Sequence, residues 1–387
     1  MGWLKRSAVC LSLGMIFSSF CFPQVVQAKE PYKIGALFSI TGPASFIGEP
    51  ERNAVEMMVE EINNKGGING HPVKLFTYDT MASSTKTVTA VKKLINKHKV
   101  HVIVGPSTSG ATLAIIPIVE KAGIPMISGG SSAKIVAPVK KWVFKSPPMD
   151  VYQVERLYDY FKKANIKKIA ILTVTTGYGD SGRASLESKA PEWGIEIVAK
   201  ENYGPKDSSM TAQLTRIAGT QAAEALVVWG VNPGPAIIAN NRKQMNLKMP
   251  LFLCEGIASK KFLELTGDAA EGAKFAGVKC IVPKDMPEGD PQKKHILEFT
   301  KAYIKKYPGK TFSTFAGTGS DAVLLAFEGL RKGGDNPEKI RDAIESTKNL
   351  VGFNGIFNMS PTDHNGLSKD DEIMIQIKNG QFAPLSY

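Results

Sequence analysis

The stretch VHVIVGPSTSGATLAIIPIVEKAGIPMISGGSS, residues 100–132, decides the fold. Its opening run, 100–105, is almost continuously apolar, the pattern of a strand buried on both faces of a parallel sheet. A helical segment is expected from near Ala111, and a second apolar strand over 124–128. Strand, helix and strand in so short a span make the βαβ unit of a parallel sheet. Each strand runs into a Ser/Gly loop, Gly105-Pro106-Ser107-Thr108-Ser109-Gly110 and Ser128-Gly129-Gly130-Ser131-Ser132. Loops at the carboxyl ends of such strands form the usual ligand crevice. Their hydroxyls and unpaired N–H groups near a helix start suit an anion. Taken singly, each loop also reads as ordinary helix capping by Ser109 or Ser132. Two of them side by side at one sheet edge point to carboxylate binding.

The same alternation extends both ways along the chain. Strands are expected over 33–39, closed by Thr41-Gly42-Pro43, and over 73–78. Val55, Met58, Val59 and Ile62 share one helical face that ends at Gly66-Gly67, and 84–98 forms a second helix. A second series begins near Asp150. It has helices over 152–164, 181–190, 210–219 and 236–245, and strands over 168–174, 195–201, 225–229 and 251–254. Helices over 292–307, 319–332 and 337–346 follow, then a strand over 372–377. The fold class is therefore α/β, with two similar lobes of doubly wound parallel sheet.

The composition is that of a globular chain: 387 residues, 43% hydrophobic and 22% charged. It excludes collagen-like, disordered and disulfide-packed classes. The first 28 residues read as an export signal. Lys5 and Arg6 precede an apolar stretch over 8–22, and Val26-Gln27-Ala28 offers the small residues of a cleavage site. The expected mature start is Lys29. The apolar run, about 15 residues, is shorter than the roughly 20 that cross a bilayer. Phe20, ahead of Cys21, argues against a lipoprotein signal. Lys5 and Arg6 are the only charges before Lys29, so the formal charge of +12 falls to +10 beyond it. Lysines come in scattered pairs such as Lys92-Lys93 and Lys305-Lys306, without an aromatic-interleaved basic stripe, so no nucleic-acid partner is expected. Past Ala28 only Cys254 and Cys280 remain, either bridged or as two buried thiols.

Several motifs imitate catalysis. Residues 177–182, GYGDSG, match the dinucleotide fingerprint, but a helix already precedes their strand and the acid expected about 20 residues on has no clean counterpart, Glu192 and Glu196 coming too early. Gly309-Lys310-Thr311 imitates a phosphate loop, yet Ile304 occupies the leading glycine position. The five histidines show neither metal-ligand spacing nor a triad order. No enzyme activity, cofactor or metal is expected. Glu255, after the apolar strand 251–254, is different: a carboxylate buried at a strand end needs a cationic partner, which a substrate ammonium would supply. It could instead be a helix-start acid.

The blocks 33–48 (KIGALFSITGPASFIG), 61–70 (EINNKGGING), 105–110, 125–132, 176–179 and 267–272 (GDAAEG) together resemble type 1 periplasmic substrate-binding proteins. Within that family the sequence is similar to the leucine/isoleucine/valine-binding proteins of branched-chain amino acid ABC transporters. The resemblance covers essentially all of the chain past residue 28. It implies two Rossmann-like lobes joined by three hinge crossings, here near Met149, Ile281 and Asn354. Lobe 1 would comprise 29–149 and 282–353, and lobe 2 would comprise 150–281 and 354–387. The resemblance further implies a ligand carboxylate held by Ser109 and by the loop Gly130, Ser131 and Ser132. It implies an ammonium held by that loop and by Glu255, with Tyr178 closing from the second lobe.

This sequence departs from the family pattern in three places. Ile47, with Phe46 beside it, stands where the family has a phenol. Trp229-Gly230-Val231-Asn232 replaces an aromatic loop, and Gly129-Gly130 replaces a Pro-Ala pair, enlarging the pocket. The expectation is a periplasmic receptor for a hydrophobic, most simply branched-chain, amino acid. It would be a monomer and would deliver the ligand to a membrane permease. Benzoate-like acids, short amides or urea are the alternative ligands, and sensing for a receptor kinase is the alternative role.

Overall fold

The computed structural model describes residues 29–386. The export signal expected over 1–28 lies outside the described residues. The chain runs β1 (Tyr32–Phe38), α1 (Ser45–Asn64), β2 (Val73–Asp79), α2 (Ser84–Lys93), β3 (Val102–Val104), α3 (Ser109–Ala122), β4 (Met126–Ser128) and β5 (Val143–Lys145). These five strands form one all-parallel sheet in the order β2-β1-β3-β4-β5. The second series is α4 (Asp150–Lys163), β6 (Lys168–Val174), α5 (Gly177–Lys189), β7 (Glu196–Tyr203), α6 (Thr211–Gly219), β8 (Ala225–Trp229), α7 (Gly234–Gln244), β9 (Leu251–Leu253), α8 (Lys260–Thr266) and β10 (Lys274–Val278).

The chain then returns to the first sheet with α9 (Lys293–Lys306), α10 (Thr314–Gly333), α11 (Pro337–Glu345), β11 (Leu350–Val351) and β12 (Ile356–Phe357). It ends in β13 (Glu372–Lys378) and β14 (Gln381–Pro384). The second sheet has the order β14-β13-β10-β9-β8-β6-β7. β13 pairs antiparallel with both β10 and β14, and the remaining pairs are parallel. Each lobe wraps its sheet in helices around its own apolar core, with Ile34, Val104 and Phe327 in the first and Leu172, Val228 and Phe275 in the second. In each sheet the strand order reverses, between β1 and β3 and between β6 and β8. Those switch points put the loops after these strands at the cleft.

The structure differs from the sequence expectation in three respects. The strands β5, β10, β11, β12 and β14 and the helix α8 are additional; the apolar run of β5 is short and ends at Lys145, and Gly277 interrupts that of β10. α10 begins at Thr314, five residues before the expected start. Gly317 and Gly319 argue locally against helix, but Gly319 lies against α1, where a Cβ would come within 2.8 Å of the Glu51 backbone. The third crossing does not fall near Asn354. The turn 352–355 is a hairpin between β11 and β12, and Asp321 pins it by accepting the N–H groups of Phe353 and Asn354 at 2.7 and 2.8 Å. Phe357, Met359 and Leu367 sit in the first core, and the chain enters the second sheet only at Glu372. The first two passages lie between β5 and α4 and after β10.

Met359 is fully buried in that first core. Met359→Ala is therefore expected to cost about 2–5 kcal/mol in urea unfolding. A loss below about 1 kcal/mol would place this segment outside the core.

Candidate functional site

A cavity of about 440 Å³ lies between the carboxyl edges of the two sheets. The first lobe lines it with Ile47 of α1, Ser109 and Gly110 of α3, Gly130 and Ser131 after β4, and Thr314 and Phe315 of α10. The second lobe contributes Tyr178 of α5, Tyr203 ending β7, Val231 after β8 and Glu255 after β9. The lobes meet at one rim, where a Cβ on Gly177 would stand 3.4 Å from the Gly110 backbone.

One end of the cavity is built for an anion. Thr112 is the first residue of α3 whose N–H finds an intrahelical acceptor, Thr108 O at 3.0 Å. The N–H groups before it, at Ser109, Gly110 and Ala111, have none, as at any helix start. Ser109 Oγ accepts the Ser132 N–H at 3.2 Å, which leaves its own proton free to donate into the cavity. Gly130 gives its N–H to Ser128 Oγ at 2.9 Å. Ser132 does not line the cavity; it supports Ser109 and caps the short turn Ala133–Ile135 through Lys134 N–H at 3.3 Å. Of the two capping readings, Ser132 fulfils one. Ser109 is the first residue of α3, not its cap.

The cation end departs from expectation. Ser131 O already accepts Lys145 Nζ at 2.6 Å and the Asp150 N–H at 3.2 Å, so both of its lone pairs are engaged. Glu255, 6% exposed, projects from the turn after β9. Its Oε1 accepts Thr314 Oγ1 at 2.8 Å and the Val278 N–H at 3.1 Å, while its own N–H goes to Gln153 Oε1 at 3.1 Å. Burial pushes its pKa up, against these two donors and the Lys145 charge. The carboxyl thus lines the cavity with cationic influence from Lys145 alone, itself buried and lowered to about 7 by desolvation.

The walls between these ends are apolar and aromatic. Tyr178 leans on Trp229, with ring centroids 5.8 Å apart. Trp229 itself is buried behind the wall, beneath Gly182, where a Cβ would overlap its Nε1. The glycines of the GYGDSG stretch are explained by packing, since a Cβ on Gly179 would likewise strike Val174 O. Phe46 turns away from this cavity to an outer one of about 550 Å³ at the cleft mouth, its ring edge-on to Phe315 at 5.7 Å. Ile47 and Val231 line the inner cavity. Cys254 and Cys280 are free and buried. Among the described residues no group of three or more His, Cys, Asp or Glu side chains could hold a metal ion. Nor, among them, is any helix long and apolar enough to cross a membrane.

Sequence reading missed Tyr203, Thr314, Phe315 and Lys145. The first two carry no local motif, and Phe315 sits at a helix start that was placed too late. Lys145 stands in no motif that marks it as buried. Glu51 was also missed. It is buried below Gly129, with one oxygen bonded by Ser107 Oγ and the other unpartnered. A Cβ on Gly129 would stand 2.8 Å from that free oxygen, which is one reason glycine occupies this position.

The site so described is a cleft between two lobes in which one side presents hydrogen-bond donors and the other a buried acid, an arrangement able to hold a small solute. The chain belongs to the periplasmic binding protein family, whose model matches residues 31–380. It is 26% identical over 330 residues to the leucine-, isoleucine-, valine-, threonine- and alanine-binding protein of Pseudomonas aeruginosa, covering 84% of this chain and 85% of that one. An extracellular ligand-binding receptor from Rhodopseudomonas palustris HaA2 superimposes with a TM-score of 0.86 at 28% identity, over 92% of this chain and all of the other. The branched-chain amino acid binding protein LivJ of Streptococcus pneumoniae, solved with isoleucine, gives 0.80 at 26% identity, over 91% of this chain and 98% of its own.

Burial raises the Glu51 pKa from 4.5 to about 8. A carboxyl raised on folding contributes its full stability below its unfolded pKa and loses it as pH climbs toward the folded value. Glu51→Gln should therefore raise the Tm by several degrees at pH 8 while leaving it nearly unchanged at pH 4, as read from thermal melts. An equal effect at both pH values would contradict the assignment.

Proposed function

We propose that this protein is the exported solute receptor of an ABC importer and that it captures a hydrophobic α-amino acid, most simply a branched-chain one, between its lobes. The observation that carries this reading is Glu255: a buried carboxyl lining the cavity, opposite the helix start and serine hydroxyls of Ser109 and Ser131. An α-amino acid presents an anion and a cation on one carbon, and its side chain would lie along Ile47, Tyr178, Tyr203 and Val231. The names of the relatives support the same ligand class. In this reading the signal is removed after Ala28, the mature chain works as a monomer in the periplasm, and the loaded receptor docks on the membrane permease. Binding favours the closed lobes because only that state completes both halves of the site.

A second reading rests on a specific observation. With Ser131 O occupied by Lys145 and Phe315, Tyr178 and Tyr203 in the wall, the cavity also suits an aromatic acid without an ammonium. A thermal-shift panel of leucine, isoleucine, valine, phenylalanine, benzoate and 4-hydroxybenzoate on ligand-stripped protein separates the two. A ligand at 100 times its Kd stabilises the fold by about 2.7 kcal/mol. If leucine or its relatives respond, Glu255→Gln should weaken their binding by more than about 100-fold, a loss of about 3–5 kcal/mol. A response to benzoates alone would overturn the amino acid reading.

A further inference from the structure

The buried charges around Glu255 do not stop at the cavity wall. All three passages between the lobes bring an ionisable or bonding group to the same place. Lys145 is the last residue of β5, immediately before the first passage, and Asp150 is the first residue of α4 after it. Val278 is the last residue of β10, before the second passage, and gives its N–H to Glu255. Glu372 is the first residue of β13, after the third passage, and is register-paired with Val278. Glu372 is 1% exposed, does not line the cavity, and neither of its carboxyl oxygens has a partner. Asp150 also keeps one oxygen unpartnered.

Three buried carboxyls therefore surround a single buried ammonium. The charges facing Glu372 are Glu255 from the turn after β9, Arg156 from α4, its neighbour Asp371, and Lys145 from β5. Arg156 spends its guanidinium on Lys369 O and on the exposed Asp370. Glu255 faces Lys145, and Glu372 feels the Glu255 charge; the Tyr178 hydroxyl and Cys280 thiol beside Glu255 are both held neutral by burial. Two carboxylates linked through one residue, Val278, which donates to the first and is paired with the second, cannot both ionise cheaply away from water and short of cations.

We propose that Glu372 and Glu255 share one proton while the cavity holds no cation, and that an arriving ligand ammonium displaces it to solvent. Glu372 is then a positioning residue. It never touches the ligand, but it sets the charge state in which Glu255 meets it. Capture of an ammonium-bearing ligand releases a proton, so its affinity rises with pH, whereas a simple carboxylate ligand has no such cation to displace the proton. This rests on the amino acid reading above.

The test is calorimetric titration of the ligand-stripped mature protein with leucine or isoleucine at pH 7, in phosphate and in Tris, which differ in ionisation enthalpy. The expected result is a buffer-dependent enthalpy corresponding to release of about one proton per ligand. Affinity should tighten by up to about tenfold per pH unit between pH 5.5 and 7.5. Glu372→Gln should abolish both the release and the pH slope while retaining binding, a change that loss of packing alone would not produce. Binding with the same enthalpy in both buffers would overturn the shared proton and leave the amino acid reading standing. Unchanged release in Glu372→Gln would assign the proton to Glu255, Asp150 or Lys145 and overturn the role of Glu372. Failure of every α-amino acid to bind would overturn the reading and this inference together.

Discussion

Lys145 carries its ammonium into the interior where the chain first leaves the first sheet, and much of the cleft is arranged around keeping it there. A buried ammonium without acceptors is prohibitive. Here Nζ is held by Ser131 O at 2.6 Å and Pro148 O at 3.1 Å, which ties the loop after β4 to the first passage between lobes. The same residue's carbonyl takes the side-chain amide of Asn365 at 3.4 Å, and its N–H goes to His364 O at 3.1 Å. The segment leading to the third passage is thereby fastened to the first. The position of Ser131 in the cavity, and the charge felt by Glu255 and Asp150, follow from this one side chain.

The alternation of strands and helices was legible because most buried strands, such as 168–174 and 225–229, are uninterrupted apolar runs bounded by turn residues. It failed where tertiary contacts outweigh local preference. β5 hides a lysine that is satisfied by the carbonyls of Ser131 and Pro148, and the start of α10 hides glycines, of which Gly319 is explained by the approach of α1. The turn 352–355 has the glycines of a passage between lobes, but the acid that pins it, Asp321, is some 30 residues away in sequence. No local pattern encodes such a partner.

The site was legible to the extent that function sits on loops at strand ends. Ser109, Gly130, Ser131, Tyr178, Glu255, Ile47 and Val231 line one cavity, all found from loop composition or from family resemblance. Ser132, Trp229 and Phe46 were placed one step too close: the first two stand behind lining residues, and the third faces the cleft mouth. A loop's sequence shows which residues are near a site but not which way each one turns.

In the proposed reading, closure and binding share one group, Glu255. It belongs to the second lobe, yet its Oε1 accepts the hydroxyl of Thr314 from the first lobe at 2.8 Å. The lobes are thus already bridged by the carboxyl that the proposed ligand cation would meet. With Thr314 and Val278 both on Oε1, the ammonium would be met by the other carboxyl oxygen, so it can join Thr314 rather than replace it. A ligand anchored at Ser109 and Ser131 on one side and at Glu255 on the other would add to an existing bridge. A ligand lacking either end would engage one lobe only and leave closure to Thr314 and the Gly110–Gly177 rim. On this argument selectivity lies less in the apolar walls, which accept many shapes, than in the requirement that both ends be charged and close together.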